Sequence, residues 1–290
     1  MAIQPFRKTV NTSQERKGQQ AATGPPPDIA APPYNSCKLL QSGATMIDFQ
    51  GLTKSYGGFE AVKPLTMQVR RGEVFGFLGP NGAGKTTTIR MLMGILVPSA
   101  GRVLVDGLDC QRDAAEVKRR VGYLPDIPTY YDYLRGREIL QFVAEMHGYS
   151  RSEARGRAHR LLDELGLAEA AEEFAVNYSM GMKKKLGLAC ALVHNPKVLV
   201  LDEPINGLDP RASRDVQERL LAAAAQGTTI FVSTHLLDMA EKLCDRVGII
   251  HRGALVACGT LCELQGAAAS GSSLEQVFLN ITDEAGEQAP

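Results

Sequence analysis

The run Gly79-Pro80-Asn81-Gly82-Ala83-Gly84-Lys85-Thr86 lies between an apolar strand-like segment, EVFGFL, and a helix-like one, TTTIRMLMGI. It fits G-x-x-x-x-G-K-[ST] in the strand-to-helix setting that this spacing requires. Glycine lets the backbone wrap closely enough for successive N–H groups to face phosphate oxygens, and the helix start adds the positive end of its dipole. Lys85 is expected to reach the β- and γ-phosphates of ATP, and the Thr86 hydroxyl to ligate Mg²⁺. Pro80, Asn81, Gly82, Ala83 and Thr87 complete the expected phosphate lining beside Gly79 and Gly84.

Further along, Val198-Leu199-Val200-Leu201-Asp202-Glu203 reads as a buried strand ending in two carboxylates, at the edge where a doubly wound sheet places its ligands. Burying such charges is costly unless a cation compensates them, so Asp202 is expected to face Mg²⁺. Glu203 points elsewhere and is expected to hold or deprotonate the water that attacks the γ-phosphorus. His235 ends the strand TTIFVSTH at the same edge, placed to hydrogen-bond that phosphate or to orient the water. The other histidines have no such setting.

Around these motifs, strand-like runs alternate with helical stretches from Met46 onward: MIDFQGL, LTMQVRR, EVFGFLG, RVLVDG, RVGYLPD, KVLVLDE, TTIFVSTH and RVGIIH. The fold expected is α/β, a P-loop NTPase core with a mainly parallel sheet and an antiparallel β subdomain at the start, where strands follow closely. About 135–193 reads as an inserted α-helical subdomain. The domain is expected over 46–266, followed by a C-terminal helix and tail over 267–290. Residues 1–45 are rich in Gln, Ala, Pro and Ser without apolar periodicity, which reads as a disordered tail, with Met46 as the true or an alternative start.

The chain has 290 residues, 44% of them hydrophobic, and its 32 basic and 32 acidic residues balance to a net charge of +0. Nothing in that balance favours a nucleic acid partner. No window approaches a membrane-spanning length and the start has no secretory core, so a cytosolic protein is expected. The six scattered cysteines fit a reducing compartment. Cys258 and Cys262 are read as small buried residues rather than metal ligands.

Together these residues resemble the nucleotide-binding subunit of the ATP-binding cassette transporters over roughly 46–280. The element that carries the resemblance is Tyr178-Ser179-Met180-Gly181-Met182, similar to the family signature L-S-G-G-Q with the Leu, first Gly and Gln replaced. The resemblance implies that Ser179 and Gly181 contact the γ-phosphate of an ATP held by the opposite subunit of a homodimer or heterodimer. It further implies that Tyr56 stacks on adenine and that Asn206-Gly207-Leu208-Asp209 couples the two sites. Asp126 stands where the family usually has glutamine after V-G-Y-L-P, and its carboxylate is expected to reach Mg²⁺ or its water. The implied activity is ATP hydrolysis that powers a separate integral-membrane permease from the cytoplasmic face. The segment SSLEQVFLNIT, with Leu274, Val277, Phe278 and Ile281 at helical spacing, resembles the end of exporter cassettes. A soluble cassette ATPase of translation or DNA repair, and a regulator that binds ATP with weak turnover, are the competing readings.

Overall fold

Residues 45–70 alternate apolar and polar side chains, a period-two pattern that buries one face of a strand pair. In the computed structural model, which describes residues 43–267 together with Glu275, Gln276, Phe278 and Leu279, they form an antiparallel hairpin. Its strands are β1 (Thr45–Tyr56) and β2 (Phe59–Arg70). The turn between them places Gly57 and Gly58 at φ 53 and 91, as a tight hairpin with two left-handed residues requires. A short second hairpin, β4 (Ala100–Val105) with β5 (Leu108–Asp109), completes a four-stranded sheet in the order β2-β1-β4-β5.

The second sheet has six strands. Its interior strands β3 (Val74–Leu78), β7 (Val198–Asp202) and β8 (Thr229–Thr234) are buried along their whole length. That is why they read as unbroken apolar runs: helices cover one face and the antiparallel sheet covers the other. With β6 (Val121–Leu124) and β9 (Arg246–His251) they run parallel, and β10 (Ala254–Thr260) joins β9 antiparallel at the edge, in the order β10-β9-β3-β8-β7-β6. Phe231 joins the two sheets. Its ring centroid lies 5.8 Å from Phe49, 5.8 Å from Phe75 and 5.5 Å from Phe77. Burying each such ring contributes about 1.5–3 kcal/mol, so this aromatic cluster helps hold the two sheets together.

Helices α1 (Lys85–Leu92), α6 (Pro210–Ala225) and α7 (Leu237–Leu243) follow β3, β7 and β8. Parallel strands therefore deliver the residues after Leu78, Asp202 and Thr234 to one edge. Helix α2 (Ala114–Arg120) precedes β6. Between β6 and β7 lie α3 (Gly136–Met146), α4 (Arg151–Glu164), a short 3₁₀ turn (Ala175–Asn177) and α5 (Met180–Leu192), with no strand among these described residues. Ser150 caps α4, its hydroxyl accepting from the Glu153 N–H while the Glu153 carboxylate accepts from Ser150 N. Helix α8 (Leu261–Ala267) follows β10, and Phe278 packs against the core.

Three expectations change. Both strands of the first hairpin run beyond MIDFQGL and LTMQVRR, because bulged register carries the pairing through Lys54, Ser55 and Tyr56. The segment after His251 supplies an edge strand that the sequence pattern did not reveal. Cys258 and Cys262 are exposed rather than buried, since Cys258 sits on that edge strand and Cys262 at the start of α8. Residues 1–42 and the side chains of Leu274, Val277 and Ile281 lie outside the described residues. Among the described residues no helix is long and apolar enough to cross a membrane.

Candidate nucleotide site

The turn from β3 into α1 is shaped by what its glycines leave out. A Cβ on Gly79 would fall 2.4 Å from the Ile250 carbonyl oxygen, and one on Gly84, at φ 107, would fall 2.7 Å from the Ala61 carbonyl oxygen. The loop is thus wedged between β9 and the first hairpin. The Gly253 N–H also donates to the Ala83 carbonyl at 3.0 Å. Lys85, Thr86 and Thr87 open α1, so their N–H groups are among those a helix leaves without internal acceptors. Such a start is suited to phosphate.

Lys85 is buried and donates to the carbonyls of Gly79 at 2.7 Å and Pro80 at 3.2 Å. Its ammonium also lies 3.3 Å from Glu203 Oε1. That same oxygen is 3.0 Å from His235 Nδ1, while Glu203 Oε2 is buried with no hydrogen-bond partner. Beside it, Asp202 is 1% exposed and its Oδ1 accepts from the Ser233 hydroxyl at 2.5 Å, fixed by the direct pairing of Asp202 with Ser233 across β7 and β8. Glu203 leaves the strand with φ 47, a left-handed backbone that costs a bulky residue about 1–3 kcal/mol. This turn is what aims its carboxylate at Lys85 and His235.

A family model described as ABC transporter matches residues 62–206, half of the chain. The chain belongs to the ABC transporter family. It is 36% identical over 243 residues to the probable multidrug ABC transporter ATP-binding protein YbhF of Escherichia coli K12, covering 82% of this chain and 42% of YbhF. Against the bacitracin transport ATP-binding protein BcrA of Bacillus licheniformis it is 40% identical over 214 residues, covering 73% of this chain and 69% of BcrA. A solved ATP-binding subunit of an ABC transporter superposes with TM-score 0.77 at 33% identity, covering 82% of this chain and all of that one. The chain therefore spans less than half of YbhF and about two thirds of BcrA.

Within this ABC cassette, Tyr56 closes β1 and is half exposed, with Lys54 Nζ 5.0 Å from its ring centroid. Ala61, five residues on, is the residue that touches Gly84, so the hairpin bearing Tyr56 abuts the phosphate loop. Ser179 caps α5, its Oγ accepting from Met182 N at 3.2 Å, and Gly181 lies beside Leu208 of the loop after β7. Both belong to the helical segment rather than to the sheet edge. Asp126 joins the Asp202–Glu203 edge through Lys184, whose ammonium lies 3.4 Å from Asp126 Oδ1 and donates to the Glu203 carbonyl.

The donor set fits magnesium held partly by nucleotide. Asp202 is a buried carboxylate held by a hydroxyl, with no ion pair of its own among the described residues, a setting that favours a cation. No group of three or more His, Cys, Asp or Glu able to hold a metal occurs among the described residues, and Mg²⁺ ordinarily takes one or two carboxylates and completes its shell with phosphates and water. Asp202 and Thr86 would hold the ion, which when bound neutralises charge on the phosphates.

Lys184 escapes notice in the sequence because Lys183-Lys184-Lys185 looks like a solvated basic run. It is 2% exposed. The available signal is its helical spacing with Gly187, Leu188 and Ala191, all on the buried stripe of α5.

Proposed function

We propose that this chain binds Mg-ATP and hydrolyses it to drive export of a substrate through a separate membrane permease. Lys85, the Gly79–Thr86 loop and Thr87 hold the phosphates, Tyr56 stacks on adenine, and Thr86, Asp202 and Asp126 serve the ion or its water. The observation that carries the reading is Glu203: one oxygen is tied to Lys85 and His235, and the other is buried and unpartnered. An acceptor held in that way supports an assignment to the attacking water, which it positions and from which it takes a proton as the γ-phosphoryl bond breaks. His235 orients Glu203 and is assigned to the γ-phosphate or to the water.

Ser179 and Gly181, on the helical segment rather than at the sheet edge that carries Lys85, are assigned to the ATP of a second subunit, so that two cassettes close on two nucleotides. This trans assignment makes the active form a dimer on the cytoplasmic face of the membrane, docked on its permease. The export direction is supported by the likeness to YbhF, a probable multidrug ABC transporter ATP-binding protein, and to BcrA, a bacitracin transport ATP-binding protein. Glu203→Gln tests the centre of the proposal. Phosphate release should fall about 10²- to 10⁴-fold while ATP binding persists. Gel filtration with Mg-ATP should then show a lasting dimer, because one negative charge near each γ-phosphate has gone. Wild-type turnover in this variant would remove Glu203 from the reaction.

A further inference from the structure

Lys184 sits where three segments meet. Its ammonium donates to the Glu203 carbonyl at 2.6 Å and the Asn206 carbonyl at 2.8 Å, and its third proton faces Asp126 Oδ1 at 3.4 Å. All three donors of the ammonium are therefore used. The two carbonyls belong to the turn Glu203-Pro204-Ile205-Asn206, which is closed by the Asn206 N–H donating to Glu203 O at 3.2 Å. The residue at its head is Glu203, whose left-handed backbone needs an external hold to persist.

The third segment is fixed just as closely. A Cβ on Gly187, one turn after Lys184, would fall 2.5 Å from Leu124 Cδ1 and 2.9 Å from the Tyr130 hydroxyl. That hydroxyl donates to the Lys183 carbonyl at 2.9 Å. Helix α5 thus grips the stretch that contains Asp126 on the same side from which Lys184 reaches it.

We propose that Lys184 is a positioning residue for hydrolysis: it clamps the turn that aims the Glu203 carboxylate, and Asp126 is its counter-charge. The inference rests on the reading of Glu203 as the water-activating group. Since Ser179 caps the same helix, any displacement of α5 that moves Ser179 also pulls on the carbonyl of Glu203. Occupation of the signature end by a second subunit's nucleotide is thereby linked, through one rigid helix turn, to the aim of the carboxylate in the same chain. Asp126 compensates a buried ammonium that would otherwise be costly.

The test is a kcat-against-binding split in the 290-residue chain. In Lys184→Gln the amide keeps two of the three donors and loses the charge; kcat for ATP should fall on the order of 10- to 100-fold, as for a reacting group displaced by about an ångström. The Kd for Mg-ATP, read by isothermal titration on the variant, should stay within about twofold, because Lys85 and Tyr56 are untouched. Lys184→Arg, which restores the cation, should recover most of the rate. Asp126→Asn should slow the wild type but add little on top of Lys184→Gln, the mark of a coupled pair. Wild-type kcat in Lys184→Gln, or equal losses in kcat and in ATP binding, would overturn the proposal. Glu203→Gln run alongside separates the two readings. An inactive Glu203→Gln with a fully active Lys184→Gln defeats the clamp alone, whereas an active Glu203→Gln defeats the reading on which the clamp rests.

Discussion

At the edge of the parallel sheet Lys85, Asp202 and Glu203 are 6%, 1% and 7% exposed, whereas at the head of α5 Ser179 is exposed and Met180 is 46% exposed. The first group is wired internally: a lysine, two carboxylates, a serine and a histidine already hold one another. The second offers a hydroxyl and a glycine backbone at the surface, with a single capping bond behind them. Desolvated charges must be paired in advance, while a neutral hydroxyl can wait in water at little cost. The contrast teaches which half of the chemistry the chain supplies by itself and which half it presents outward.

The largest effect that would sharpen this contrast comes from mixing damaged halves. Lys85→Ala should abolish productive nucleotide binding, and Ser179→Arg should block closure while leaving binding intact. Each should be inactive alone. A one-to-one mixture should regain turnover from composite sites built of the intact halves, and should do so more steeply than linearly with protein concentration. Strictly linear activity without complementation would break the comparison, because the exposed head of α5 would then serve nothing beyond its own chain.

An intermediate effect separates the two regions by pH. His194, just after α5, stacks on His147, which follows α3, with ring centroids 3.7 Å apart. Burial, the His147 ring and the Arg157 guanidinium lower His194 to about 4 from 6.5, against the pull of the Val121 carbonyl, and burial also lowers His147. With the folded value below the unfolded one, the unfolded chain takes up the proton first. Stability is therefore full above about pH 6.5 and is lost as pH falls from there toward 4, by on the order of 2 kcal/mol after allowance for partial exposure. Urea denaturation at pH 7 and pH 5 should show the loss, and His194→Gln should reduce it. Amide exchange at pH 5 should rise in α3 and α5 before it rises in β3 and β7. An unchanged urea midpoint would remove the histidine stack as the weaker seam of the helical segment.

The smallest effect concerns the ring at the end of β1. Tyr56→Ala should raise the ATP Kd roughly 3- to 10-fold, the worth of one aromatic stack, whereas Tyr56→Phe should change it by less than about twofold. Isothermal titration distinguishes them, and equal losses from both would assign the contact to the hydroxyl instead.

Much of the fold was legible because its signals are local. The Gly79–Thr86 spacing, the apolar runs of β3, β7 and β8, and the helical stretch before β7 each announce themselves within a few residues. What escaped depends on distant partners. Strand β10 has an ordinary composition and becomes a strand by pairing with β9, which also turns Cys258 outward. Lys184 is one of three consecutive lysines, and only the arrival of Glu203 and Asn206 from the next strand makes it different. The left-handed Glu203 is likewise invisible in a sequence where glycine or asparagine would be the usual sign. Asp126 was read toward magnesium by resemblance, and its contact with Lys184 could not be known without the helix that brings the lysine.

The contact between Gly84 and the Ala61 carbonyl leaves no room for a methyl group, and Ala61 sits in the strand that Tyr56 turns into. The two ends of the nucleotide cradle therefore act as the jaws of a caliper whose gap the covalent chain has already set. On the stacking proposed for Tyr56, a ring seated on one jaw would bring its phosphates to a fixed depth at the other. Because every base has a flat face to stack, such a device gauges the length of a ligand far more strictly than the identity of its base.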